Sequence, residues 1–351
     1  MMHAGDRSPH GSEPAAGKHL PLQWSRELGD YVTCLTCSAD GARVAAAMVN
    51  GELQLLDGFT GATLFRAHAH PGGILAAAYS PTSDVLATAG QDGVARLFDA
   101  SGKLLAELPG GGGWVEHVAW SPRGERVATT AGRTVRVWSP EGRLAFETAP
   151  DVGTITGVAW DRAGRRLATC CFGGARIFDA MTGAELDRLP TPASLISLCW
   201  SADGTVIACG TQECSVRFWR LRTGKVSDIS GFTSKPRALN FAPNRGLLAA
   251  GGGKAASVWS FEQQGPEGRR PLLLEGHEAV CTVLAFSPDG RWLATGGDDA
   301  RVLLWAPQAD ATVVAGSHLR ETVTALAWRQ SDCLITADAS GLIETRELVA
   351  A

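Results

Sequence analysis

A unit of about forty residues recurs along this 351-residue chain, and a chain built this way must fold as a repeat array. The clearest copy runs from Gly276 to Trp305. Its apolar runs Val280–Phe286, Trp292–Gly297 and Arg301–Trp305 read as three strands. Ser287-Pro288-Asp289-Gly290 is the turn between the first two, since Pro presets φ and Gly accepts a positive one. The first strand of each copy closes on Cys37, Tyr79, Trp120, Trp160, Trp200, Phe241, Phe286 or Trp328, at spacings of 40 to 45. These copies are numbered units 1 to 8. The third strand ends at Leu56, Phe98, Trp138, Phe178, Trp219, Trp259 and Trp305; unit 8 departs with Arg346. The longest spacing contains the polar insertion Glu262–Arg270, expected to be an exposed loop.

The Gly276–Trp305 unit resembles the tryptophan-aspartate (WD) repeat family. The resemblance implies an all-β fold, a β-propeller of four-stranded antiparallel blades; eight copies imply eight blades. Leu20–Leu28 is strand-like but has no repeat of its own, and unit 8 ends after three strands (Thr322–Trp328, Cys333–Asp338, Leu342–Leu348). The N-terminal strand is therefore expected to complete the last blade, which removes the open sheet edges. The expected organisation is a disordered tail at 1–18 and a single eight-bladed propeller at 19–351.

The resemblance also implies a buried hydrogen-bonded network in each unit. Its matches here are His277, Thr295, Asp299 and Trp305, and in unit 2 His70, Thr88 and Asp92, with Phe98 for Trp. A buried imidazole, hydroxyl and carboxylate are tolerable when they satisfy one another. The blade period makes this constellation a structural brace rather than a catalytic triad, so no catalytic residue is expected. Units 3, 4 and 6 have a shorter second turn without the Asp (Thr130–Arg133, Cys170–Gly173, Gly251–Lys254). Unit 5 has Glu213 and unit 1 has Asn50 at that position. Apolar packing between blades is expected to offset the lost braces.

Composition narrows the partner class. Lys plus Arg number 32 against 36 Asp plus Glu, a net charge of −4, which provides no basic footprint for nucleic acid and no polybasic run for a membrane. No apolar run is long enough for a membrane helix, and the first residues lack a signal-peptide core. A cytoplasmic location is therefore expected, and of the nine cysteines Cys34, Cys199, Cys209 and Cys281 stand at strand positions that read as small buried residues in a reducing compartment. Cys34 and Cys37 have metal-like spacing, but three residues apart on a strand they face opposite ways. Gly251-Gly252-Gly253-Lys254 lacks the first Gly and the Ser or Thr of a phosphate loop. His68, with His3, His10 and His19, is the remaining metal alternative; no metal and no cofactor are expected.

Function is expected in the loops that lead into each unit and in the second-to-third-strand turns, which share one face in this family. The candidate partner-binding residues there are Tyr31, Gln91, Trp114, Arg133, Phe172, Glu213, Lys235, Arg237, Lys254 and Asp298. Aromatic and Arg side chains dominate interface hot spots, but Tyr31 and Trp114 equally suit packing between blades. The Pro109–Trp114 loop, with four consecutive Gly, is either a flexible lip or slack. The leading expectation is a non-enzymatic scaffold, a monomeric ring that binds a protein or peptide. The alternative is a central-channel site for a small molecule, a metal or a hydrolytic reaction.

Overall fold

The computed structural model describes residues 18–350 apart from Gln264. The tail expected at 1–18 lies outside the described residues, except for Lys18, which pairs with Ala350. Described secondary structure is entirely β, and every strand pairing is antiparallel in a β-propeller. Each unit rises as a first strand at the channel and passes outward strand by strand. In unit 7 the order is Cys281–Phe286, Leu293–Gly297, Arg301–Trp305 and Val313–His318.

The expectation of eight blades is corrected: the ring has seven. Six are four-stranded sheets and one is six-stranded, holding units 4 and 5 together. In unit 4 the second strand runs on into the third as Arg166–Asp179, and the outer strand runs on into the first strand of unit 5 as Glu185–Trp200. Phe172 pairs with Ser194 where the two long strands pass. The short turn of unit 4 passes through Gly173 and Gly174 at φ +92 and +145, a positive-φ backbone that glycine adopts readily, and strand pairing continues on either side of it.

Ring closure joins the two ends of the chain. Leu22–Glu27 pairs with Leu342–Glu347, and these complete a four-stranded sheet with Cys333–Asp338 and Val323–Gln330. Trp24 and Val32 then pack in one cluster with Ile335 and Ile343. All other apolar clusters likewise draw on consecutive units, so each sheet is stabilised by its neighbours, at roughly 1.5–3 kcal/mol per fully buried Leu, Ile, Val or Phe. Second strands are sandwiched on both faces, and their small side chains suit that position: Ala45, Ala46 and Ala47 are fully buried.

In most units the residue closing the first strand fastens that unit to the unit before it. The indole N–H of Trp120, Trp160, Trp200 and Trp328 donates to the carbonyl of Ala78, Ala119, Ala159 and Ala285 at 3.0–3.1 Å. Phe286 has no such donor, and its backbone N–H donates instead to Asn240 Oδ1 at 3.0 Å. The insertion, between the third and outer strands of unit 6, is a loop with Glu262, Gln263 and Gly268–Arg270 exposed as expected, but its middle is packed. Gly265 and Pro266 are buried, and Glu267 reaches Arg220 and Lys225 of unit 5, both at 3.0 Å. Burial opposes the Glu267 charge, yet these cations hold its pKa down at about 2.

Candidate partner-binding face

In each unit the incoming loop and the second-to-third-strand turn are hydrogen-bonded to each other, which sets both at one end of the strands. Examples are Val49 N–H to Tyr31 O at 3.0 Å, Gln91 N–H to Gly73 O at 3.1 Å and Asp298 N–H to Val280 O at 3.0 Å. Of the ten candidate residues, Gln91 is half-buried and the other nine are exposed. Tyr31, Trp114 and Phe172 are 42%, 54% and 59% exposed, so the aromatic rings lie on the surface rather than between blades. Val49 and Val152, also exposed, sit on the same set of turns and loops. Arg133, Lys235, Arg237 and Lys254 form no ion pair among the described residues.

The braces lie directly beneath. In unit 7, His277 Nε2 is 2.8 Å from Thr295 Oγ1 and Nδ1 is 3.0 Å from Asp299 Oδ1. The Trp305 indole donates to the same Thr295 oxygen at 2.8 Å, and the Glu278 N–H donates to Asp299 at 2.7 Å. With Nδ1–H on the carboxylate, Nε2 accepts the Thr295 hydroxyl proton, and every polar atom has a partner. Burial opposes the charge on Asp299, yet the His277 and Glu278 bonds keep its carboxyl below the usual range. Thr295 is fully buried, so it is out of reach of any substrate.

Unit 2 repeats this with one addition. His70 lies 2.7 Å from Thr88 Oγ1 and 2.9 Å from Asp92 Oδ1, and Arg96 donates to the other Asp92 oxygen at 2.5 Å. Burial outweighs the neighbouring carboxylate and lowers the His70 pKa, which favours neutral imidazole. Burial also works against the Asp92 charge, but the bonds from His70 and Arg96 hold its carboxyl below the ordinary range.

Units 3 to 5 do not replace the missing brace by apolar packing, as the sequence suggested. An arginine on the third strand takes the place of the histidine. Arg136 donates to Gly110 O in the incoming loop and pairs with Glu147 on the outer strand at 2.9 Å. Arg176 donates to Ala149 O at 3.1 Å and is held by Glu185, with Asp151 at 3.6 Å. Arg217 donates to Thr191 Oγ1 and pairs with Asp228 at 2.7 Å. Unit 3 keeps the other half of the network, with the Trp138 indole on Thr129 at 2.9 Å. In unit 4 Phe178 has no N–H to give, and the buried Thr169 hydroxyl has no partner. The glycine loop takes its form from this arrangement: a side chain at Gly111 would strike the Arg136 guanidinium at 2.3 Å. A sequence signal existed, since Arg96–Glu107 and Arg217–Asp228 both stand eleven residues apart.

Metal chemistry gains no support from geometry: among the described residues no group of three or more His, Cys, Asp and Glu is placed to hold an ion. His68 and His19 are both exposed, and His3 and His10 lie outside the described residues.

The sequence profile of the WD domain, G-beta repeat (WD40) matches residues 61–99, 102–139, 185–220 and 268–306. The target of rapamycin complex subunit wat1 of Schizosaccharomyces pombe is 28% identical over 136 residues, 38% of this chain and 42% of that protein. The target of rapamycin complex subunit LST8 of Mus musculus is 26% identical over 106 residues, 30% of this chain and 32% of that protein. WD repeat-containing protein 1 of Mus musculus is 34% identical over 87 residues, 23% of this chain and 14% of that protein. The matches thus take in less than half the length of these relatives. In fold, the chain is similar to the crystal structure of the computationally designed Ika8 protein, with a TM-score of 0.79, 20% identity and coverage of 92% of this chain and 98% of that one.

Proposed function

We propose that this WD-repeat protein, a β-propeller carrying four WD40 repeats, is a non-enzymatic scaffold that binds a protein or peptide partner on the face bearing the incoming loops. The observation that carries the reading is the exposure of Tyr31, Trp114 and Phe172 on those loops and turns, beside unpaired Arg133 and Lys254. Exposed aromatic rings cost hydration, and aromatic and Arg side chains are the usual interface anchors. The relatives named as complex subunits support the same class of role. A rigid ring whose charged and apolar groups are tied up in braces presents its loops without moving, which suits recognition more than turnover.

A cytoplasmic location belongs to the same proposal. All nine cysteines are free thiols. Burial pushes the Cys37 and Cys281 pKa values up to about 12, so these thiols are unreactive packing groups. No helix among the described residues is long and apolar enough to cross a membrane.

The test is affinity capture from native lysate with the parent chain, Trp114→Ala, Arg133→Glu, and a control on the opposite end of the strands, Met181→Ala, which alters a side chain 64% exposed. The proposal expects a specific protein held by the parent and the control and lost from the two loop variants. Equal recovery on all four would place binding elsewhere. No specific protein together with bound metal by elemental analysis would favour a channel site.

A further inference from the structure

One cross-strand pair separates the filled from the open outer-strand crevices of units 2 to 7. In units 2, 3 and 5 that pair is Arg96–Glu107, Arg136–Glu147 and Arg217–Asp228. In unit 4 it is Arg176–Arg188, both held by Glu185. The guanidinium fills the space between the incoming loop and the outer strand. In units 6 and 7 the same pair is Ser257–Leu273 and Leu303–Gly316. Neither pair carries a charge or enough bulk to cross the gap, and an open crevice lies at each. The unit 6 crevice, about 630 Å³, is floored by Ser257, Trp259 and Leu273. The unit 7 crevice, about 850 Å³, is floored by Leu273, Leu303, Val313 and Gly316. Leu273, 48% exposed, is the wall they share.

We propose that the unit 7 crevice is a docking site for a partner's peptide segment that carries an aliphatic side chain next to a lysine or arginine. The floor specifies the aliphatic group, since Leu303, Val313 and Leu273 offer only carbon and Gly316 leaves the space above Leu303 open. Charge specifies the neighbour. Glu275 and Glu278 are exposed and line this crevice. Arg301 is already committed, to Gly276 O at 3.0 Å and to Glu278, and Glu275 has no ion pair among the described residues. In units 2, 3 and 5 the chain supplies its own cation opposite the outer-strand carboxylate; in unit 7 Arg301 balances Glu278, and Glu275 is the acidic group at the mouth left for a cation from the partner. This crevice borders the unit 7 incoming loop but uses none of the ten candidate residues of the face proposed above, and it does not depend on that reading.

The test is selection of a displayed random peptide library on the parent chain, with counter-selection on Leu303→Arg/Gly316→Glu, which rebuilds the pair of unit 3. The selected consensus is expected to contain Leu, Ile, Val or Met beside Lys or Arg. In fluorescence polarisation, the labelled consensus peptide should bind the filled variant at least about tenfold more weakly and Glu275→Lys several-fold more weakly. Trp114→Ala should bind it as the parent does. An acidic or purely apolar consensus, no peptide that separates parent from filled variant, parent-like binding by Glu275→Lys, or loss of binding in Trp114→Ala would each overturn the proposal. If the double variant melts far below the parent, Glu275→Lys alone decides.

Discussion

Unit 7 holds its incoming loop with the His277 imidazole passing from Thr295 to Asp299, and unit 4 holds the corresponding loop with a buried guanidinium between Asp151, Glu185 and Ala149 O. The joint is the same and the chemistry opposite. A histidine brace hangs from the loop and reaches inward to the second strand. An arginine brace hangs from the third strand and reaches back to the loop. The first needs a hydroxyl on the second strand and a carboxylate in the turn; the second needs a carboxylate on the outer strand. The repeat therefore conserves the tie and not the residue that makes it. The difference also predicts which units feel pH, salt and the loss of a single side chain.

The largest effect is expected in unit 4. Arg176→Ala leaves Asp151 buried without its counter-charge, since the two side chains are only 8% and 6% exposed, and it should cost about 3–5 kcal/mol in urea unfolding. A loss below about 1 kcal/mol would break the idea that arginine is the tie there. Next is His277→Ala, which orphans Thr295 and Asp299 and should cost roughly 1–3 kcal/mol; a melting curve that overlays the parent would remove the histidine brace from the account.

Acid separates the two chemistries. The folded pKa of His70 lies below its ordinary 6.5, so the unfolded chain takes up the proton first. Its contribution is fully present above about 6.5 and is lost as pH falls from there through the lowered folded value. His117, also lowered by burial, adds to the same slope. His70→Gln should flatten the decline of Tm between pH 6.5 and 5 relative to the parent; an unchanged slope would mean that His70 does not carry it. Smaller again is Arg136→Leu, whose partner Glu147 is 43% exposed: below about 1 kcal/mol, shrinking further in high salt. Trp114→Ala should leave stability within about 0.5 kcal/mol, because the ring is 54% exposed.

Much of this was legible in the sequence. The closing aromatic residues and the period near forty located every unit, and the unmatched Leu20–Leu28 segment located the closing strand. His277, Thr295, Asp299 and Trp305 meet because their spacing puts them on adjoining ends of neighbouring strands. The merging of units 4 and 5 was hidden, since it runs through Gly173 and Gly174 at positive φ, one of several conformations that glycine leaves open. The arginine braces were hidden for another reason. An Arg at an alternating strand position looks like a solvated surface charge until the incoming loop is known to pass over it. For the candidate face, sequence gave positions but not exposure; whether Tyr31 and Trp114 turned inward or outward depended on packing with the adjacent unit.

A double-mutant cycle on Arg176 and Asp151, measured by urea unfolding of R176A, D151A and the double variant, tests the substitution of one brace for the other most directly. The account predicts a coupling of about 2 kcal/mol or more, the double variant being far less destabilised than the sum of the singles. Effects that add within about 0.5 kcal/mol would contradict it, and Arg176 would then be a surface charge that happens to lie beside the loop.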